Sequence, residues 1–151
     1  MQKDRIEQEI VIAAPIERVW AVLTEPAHVG RWFGQGGPAE IDLRPGGIMV
    51  LDHGVHGTFP TLIERVDPPR HLSYRWASAF PGETATEDNS TLVEFTLVPD
   101  GDRTHLRLVE SGFAALAIPA HREATAGYES HAGGWPDALA NLRRHTEQLA
   151  A

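Results

Sequence analysis

The chain has 151 residues, no cysteine, and a formal net charge of −8 from 21 acidic and 13 basic side chains. That length suits a single domain over 1–151, large enough to bury a core without metal or disulfide staples. The acidic balance, with no basic cluster, argues against nucleic acid as a partner, and the missing cysteines remove disulfides, thiolate metal sites and cysteine nucleophiles.

The opening "MQKDRIEQEI" is charged and lacks the apolar run of a signal peptide, so a cytoplasmic location is expected. Residues 6–13, "IEQEIVIA", read as a first strand with partial alternation. Ile16, Val19, Trp20 and Leu23 follow at helical spacing, with Pro15 expected at the first helical position. Pro26 stops that helix and starts a second short one carrying Val29, Trp32 and Phe33 on one side.

From 38 to 111 the period changes to about six strands in a meander, broken by "RPGG" (44–47), "DHGVHG" (52–57), "DPPR" (67–70) and "PDGD" (99–102). Val93, Phe95 and Leu97 alternate with Glu94 and Thr96, and Leu106 and Leu108 with His105 and Arg107, as in a sheet with one dry face. The polar stretch 78–90 reads as a long loop. After 121 the helical period returns, with Tyr128, Trp135, Leu139, Leu142 and Leu149 on one stripe. No run approaches 18 apolar residues, so no membrane span is expected.

Strand, two short helices, about six antiparallel strands and one long helix form an α+β arrangement, a curved sheet closed by a helix. A sheet curled around one helix leaves space between them, a natural small-molecule site. The long helix is interrupted at "HAGGWPDAL". Gly133 and Gly134 would let its backbone approach the sheet or a ligand closely, and Pro136 would kink it. The alternative is one helix ending near Ala132 and another starting at Pro136.

These segments resemble the activator-of-Hsp90-ATPase homologue family, within the START/Bet v 1-like (SRPBCC, helix-grip) superfamily. The resemblance is carried in order by "APIERVWAVLTEPAHVGRWF" (14–33), "RPGG" (44–47), "VDPPRHLSYRW" (66–76), "TLVEFTLVPDGDRTHLRLVESGF" (91–113) and "HAGGWPDALANLRRH" (131–145). It implies a seven-stranded sheet gripping the C-terminal helix, whose Gly-Trp pair is a family feature. It also implies one of several roles: co-chaperone, cyclase-like enzyme, lipid or hormone binder, or self-resistance protein. Co-chaperones of this type carry a further amino-terminal domain, for which this length leaves no room.

Glu110 ends a strand on the parity of Leu106 and Leu108, so its carboxyl should point inward, placed to donate or accept a proton. The alternative is a solvated or arginine-paired carboxylate at the sheet's open end. His53, in "HGVH", is a second candidate catalytic or polar pocket group, against the reading of an ordinary turn histidine. His53 and His56 have no third partner at ligand spacing, so no metal is expected. Tyr128, His131 and Trp135 lie about one helical turn apart and could form a pocket wall with polar tips, or simply core. Phe59, Trp76, Phe80, Phe95 and Phe113 are the candidate apolar lining, or again core. Ser111 lacks the glycines of a nucleophile elbow, and there is no phosphate loop or dinucleotide fingerprint, so no cofactor is expected.

The expected function is therefore binding of an apolar or aromatic small molecule, by a monomer or homodimer, with optional cofactor-free acid–base chemistry of cyclase or dehydratase type. A protein-binding, co-chaperone-like or stress-related module and a self-resistance protein that captures a reactive natural product are the alternatives.

Overall fold

The computed structural model describes residues 4–33, 40–52, 57–77, 80, 82–83, 85–86, 89–113 and 128–150. In chain order the elements are β1 (Arg5–Ile12), α1 (Ile16–Thr24), α2 (Pro26–Trp32), β2 (Glu40–Ile41), β3 (Ile48–Asp52), β4 (Thr58–Asp67), β5 (His71–Trp76), β6 (Thr91–Asp100), β7 (Arg103–Ser111) and α3 (Tyr128–Ala150). All seven strands join one antiparallel sheet in the order β1-β7-β6-β5-β4-β3-β2. From β2 to β7 this is a meander of six strands; β1 then pairs with β7, so the first and last strands lie side by side.

Turn chemistry follows the punctuation of the sequence. β6 and β7 are joined through Gly101 and Asp102, because Asp100 and Arg103 are still paired. Gly101 has φ +62, the positive value that the first position of a tight hairpin turn requires. In "RPGG" a Cβ on Gly47 would lie 2.0 Å from the Asp42 carbonyl oxygen, so only glycine fits where this backbone folds onto the start of β3.

Period-2 alternation decides which side chains form the core. Ile6 and Ile12 of β1, Leu106, Leu108 and Glu110 of β7, and Thr91, Val93, Phe95 and Leu97 of β6 are all buried. Leu72, Tyr74 and Trp76 of β5 and Phe59, Thr61 and Ile63 of β4 extend the same face. α1 contributes Ile16, Val19, Val22 and Leu23. Its buried face is thus turned slightly from the expected stripe: Val22 is inside, and Trp20 only packs partly against the core. Pro15 is the N-cap, with extended backbone at φ −67 and ψ 155, one position earlier than expected. Pro26 does occupy the start of α2, where a missing N–H costs nothing.

α3 runs unbroken through Pro136 and packs against β1, α1 and α2. His131, Trp135, Leu139, Leu142 and Thr146 form its buried face. Two expectations fail here. Leu149 is exposed, because the buried face ends at Thr146. Gly133 and Gly134 face outward, and a Cβ on either would meet nothing within 4 Å, so neither allows a close backbone approach to the sheet.

Candidate functional site

Glu110 occupies the inner face of β7, between Ile6 of β1 and Val93 of β6. Its side chain is fully buried. An isolated buried carboxylate is unaffordable at several kcal/mol or more, so its partners matter. Three side chains donate to it. Thr91 Oγ1, from the start of β6, reaches Oε2 at 2.6 Å. Trp135 Nε1, from α3, reaches Oε1 at 2.7 Å. His131 Nδ1, one turn earlier on α3, lies 2.8 Å from Oε1 and 2.9 Å from Oε2.

The carboxylate therefore joins three donors, two from the helix and one from the sheet. A carboxylate only accepts, so Nδ1 of His131 must carry the proton in this bond. In the neutral ring Nε2 is then the basic nitrogen, a tautomer set by the carboxylate behind it. Trp76 stacks on the imidazole at 4.7 Å and 22°, and Phe113 meets it edge-on at 5.3 Å and 85°. These two contacts and the hydrogen bond hold the ring in one orientation.

The indole of Trp135 is packed on three sides. Phe33 lies flat against it at 5.2 Å and 17°, while Phe95 and Trp76 present themselves nearly perpendicular. Trp32, at the end of α2, stacks on Phe33 and meets Phe95 edge-on; its indole N–H donates to the Val22 carbonyl at 3.1 Å, which ties α2 to α1. Tyr74 lies on the same cross-strand row as Glu110, with Val93 between them. Burial, and then the negative charge of Glu110, push its phenol well above the usual tyrosine range, so Tyr74 stays protonated.

Of the residues singled out from the sequence, Glu110, His131, Trp135, Trp76, Phe95 and Phe113 meet in this cluster. Phe59 adjoins it through an edge contact with Trp76 at 6.2 Å. Tyr128 joins through its ring, edge-on to Phe113 at 5.4 Å, while its hydroxyl donates to the Arg5 carbonyl at 3.1 Å and ties the start of α3 to the edge strand β1. Phe80 is half-buried in the segment after β5. His53 and its neighbour His56 lie outside the described residues. Thr91, Tyr74 and Phe33 were not singled out. Thr91 and Tyr74 carry the right signal, the parity of Phe95 and of Trp76; Phe33 carries only the apolar side it shares with Val29 and Trp32, since its place against Trp135 depends on how α2 folds back. Among the described residues no group of three or more histidine, aspartate or glutamate side chains converges as a metal site, and no helix is long and apolar enough to cross a membrane.

Comparison with known proteins agrees with this architecture. Protein MLL2253 from Mesorhizobium loti superposes with a TM-score of 0.74 at 26% identity, over 95% of this chain and 97% of that one. CalU16 from Micromonospora echinospora gives 0.66 at 26% identity, over 93% and 73%. PFC0360w, an HSP90 activator from Plasmodium falciparum, gives 0.71 at 17% identity, over 95% and 96%, a likeness of fold alone. No functionally curated protein matches the chain. The sequence profile of one family, described as Activator of Hsp90 ATPase homolog 1-like protein, matches residues 13–147. The chain belongs to that family, with its seven-stranded antiparallel sheet and long C-terminal helix.

Proposed function

We propose that the protein binds an apolar or aromatic small molecule between the sheet and α3, against the aromatic side chains around Glu110 and His131. One observation carries this reading: a fully buried carboxylate holds a histidine, a tryptophan and a threonine inside an otherwise apolar, aromatic surround. For stability alone, apolar side chains of similar volume serve a core as well as a buried ion pair or better. A polar group in an aromatic wall is instead what orients a bound ligand.

The same geometry supports cofactor-free acid–base chemistry. Glu110 holds the Nδ1 proton, so His131 Nε2 is the atom that accepts a proton from an acidic O–H or C–H and returns it; Glu110 stabilises the imidazolium formed between the two steps. Glu110 thus acts behind the histidine as its orienting partner.

A protein-docking role would need a contiguous apolar surface of a few hundred Å². Among the described residues the exposed large apolar side chains are Val11, Leu43, Val98 and Leu149, on four separate elements or connections. Val11 and Val98 flank His105 across three strands, too small a group to carry that reading.

The test is titration of aromatic polyketides and long-chain fatty acids, followed by tryptophan fluorescence and calorimetry. Saturable one-to-one binding with altered Trp76 and Trp135 emission supports the proposal; no saturable binding by any member overturns it. Intact mass after incubation reads the self-resistance alternative, since a captured reactive product adds its mass covalently.

A further inference from the structure

Outside the Glu110 cluster, α2 and α3 meet through two histidines. His28 Nδ1 and His145 Nε2 lie 2.9 Å apart. The ring centroids are separated by 5.1 Å and the planes tilted by 58°. That separation is close to the nitrogen–nitrogen distance plus the two ring radii. The nitrogens therefore meet head-on along one hydrogen bond rather than converging on a shared metal.

Such a bond needs one N–H and one lone pair. It survives with both rings neutral, or with one charged. It does not survive with both charged, when two N–H groups face each other. Charged groups on both helices bear on the pair or lie close to it in sequence. Glu25, at the start of α2, lies 3.9 Å from His28 Nε2, on the side away from His145. Arg31, in the last turn of α2, adds positive charge near His145. Glu147 of α3 is engaged elsewhere, accepting from the Ala13 backbone N–H at 2.8 Å. Burial, then His28, then Arg31 hold the His145 imidazole below its ordinary value.

What this bond secures is the packing of α2 over the aromatic end of the site. Phe33, at the C-terminal end of α2, lies flat on Trp135, and Trp135 donates to Glu110. We propose that the His28–His145 pair is a proton-operated latch: a second proton on the pair breaks the bond, releases α2 from α3 and uncovers the Trp135 face of the Glu110 cluster. The latch itself needs no ligand; only its consequence for ligand access rests on the function proposed above.

The experiment is amide hydrogen exchange of α2 between pH 7.5 and pH 5, corrected for the intrinsic pH dependence of exchange. In the wild-type chain, opening of Val29–Phe33 is expected to rise by about tenfold per pH unit below the midpoint of the pair, while amides of β6 and β7 lose only the protection that the fall in global stability accounts for. In His145→Gln and in His28→Gln the rise is expected to vanish, since an amide can partner the remaining ring in either charge state. A wild-type α2 whose opening ignores pH, or a rise that persists in both variants, overturns the proposal. Should one variant fail to fold, the other and the wild type still decide it. Failure of every ligand titration leaves this readout intact, so the two proposals fall separately.

Discussion

Glu110 of β7 and His131 of α3 are joined at 2.8 Å with almost no side-chain surface open to solvent. The bond connects the end of β7, next to the edge strand β1, to the first turns of the long helix, and the same carboxylate accepts from Trp135 one turn further on. Helix and sheet are thereby keyed at one polar point within an apolar interface. Sliding or rotation of α3 would leave the carboxylate buried with only the Thr91 donor of its three.

Removing one partner should therefore cost far more than the loss of an ordinary surface contact. Glu110→Gln puts an amide N–H₂ among three donors and is expected to destabilise the fold by about 3–5 kcal/mol. Thr91→Val keeps the shape and removes one donor, at an expected cost of about 1–3 kcal/mol. Urea unfolding of both variants reads these values. A loss under about 0.5 kcal/mol for Glu110→Gln, the range of a neutral surface change, would refute the buried network.

The buried face of α3 makes a contrasting prediction. Leu139 and Leu142 are fully enclosed, whereas Leu149 is exposed. Leu142→Ala should cost about 2–5 kcal/mol through lost burial and the cavity left behind. Leu149→Ala should stay within about 0.5 kcal/mol. Comparable losses at both positions would mean that the helix is rotated from the orientation described.

Gly133 and Gly134 lie on the outer surface of α3 with open space where a side chain would go. Alanine at either position fits without displacement and lowers the entropy of the unfolded chain, so each change should stabilise by about 0.5–1 kcal/mol. Thermal melts of the single variants test this. Destabilisation would show that the glycines serve a conformation of the helix other than this one.

Stability should fall on acidification through two histidines. His145 is held below its ordinary value by burial, His28 and Arg31, and His71 by burial and then Arg65. For each, the folded chain binds a proton less readily than the unfolded chain. Their contribution is fully present above about pH 6.5, the unfolded value, and is lost as pH falls from there through the folded-state values. Unfolding free energy measured from pH 7.5 to pH 5 should decline, and His71→Gln combined with His145→Gln should flatten that decline. An unchanged slope in the double variant would contradict it.

Strand parity made much of this legible from the residues alone. Leu106 and Leu108 oblige Glu110 to face inward, and the same rule turns Phe95 and Trp76 toward the helix. Helical spacing likewise set His131 and Trp135 on one face, and the turn residues separated the strands. Less legible was the identity of the donors, because the pairing of Glu110 with His131, Trp135 and Thr91 depends on how α3 is rotated over the sheet. Thr91 looks like the ordinary start of a strand, and Phe33 reaches Trp135 only after α2 folds back. Gly133 and Gly134 invited the wrong inference: with Trp135 pointing in, the helix period carries its two neighbours outward, whatever their size.

The most direct measurement is of the His131 side-chain nitrogens by long-range nitrogen–proton NMR, before and after saturation with the tightest compound from the titration panel. Nδ1 is expected to be protonated in both states, and the Nε2 signal to move on binding together with the Trp135 indole N–H. A compound that binds while leaving all three signals unmoved, or an Nδ1 that carries no proton at neutral pH, would contradict it.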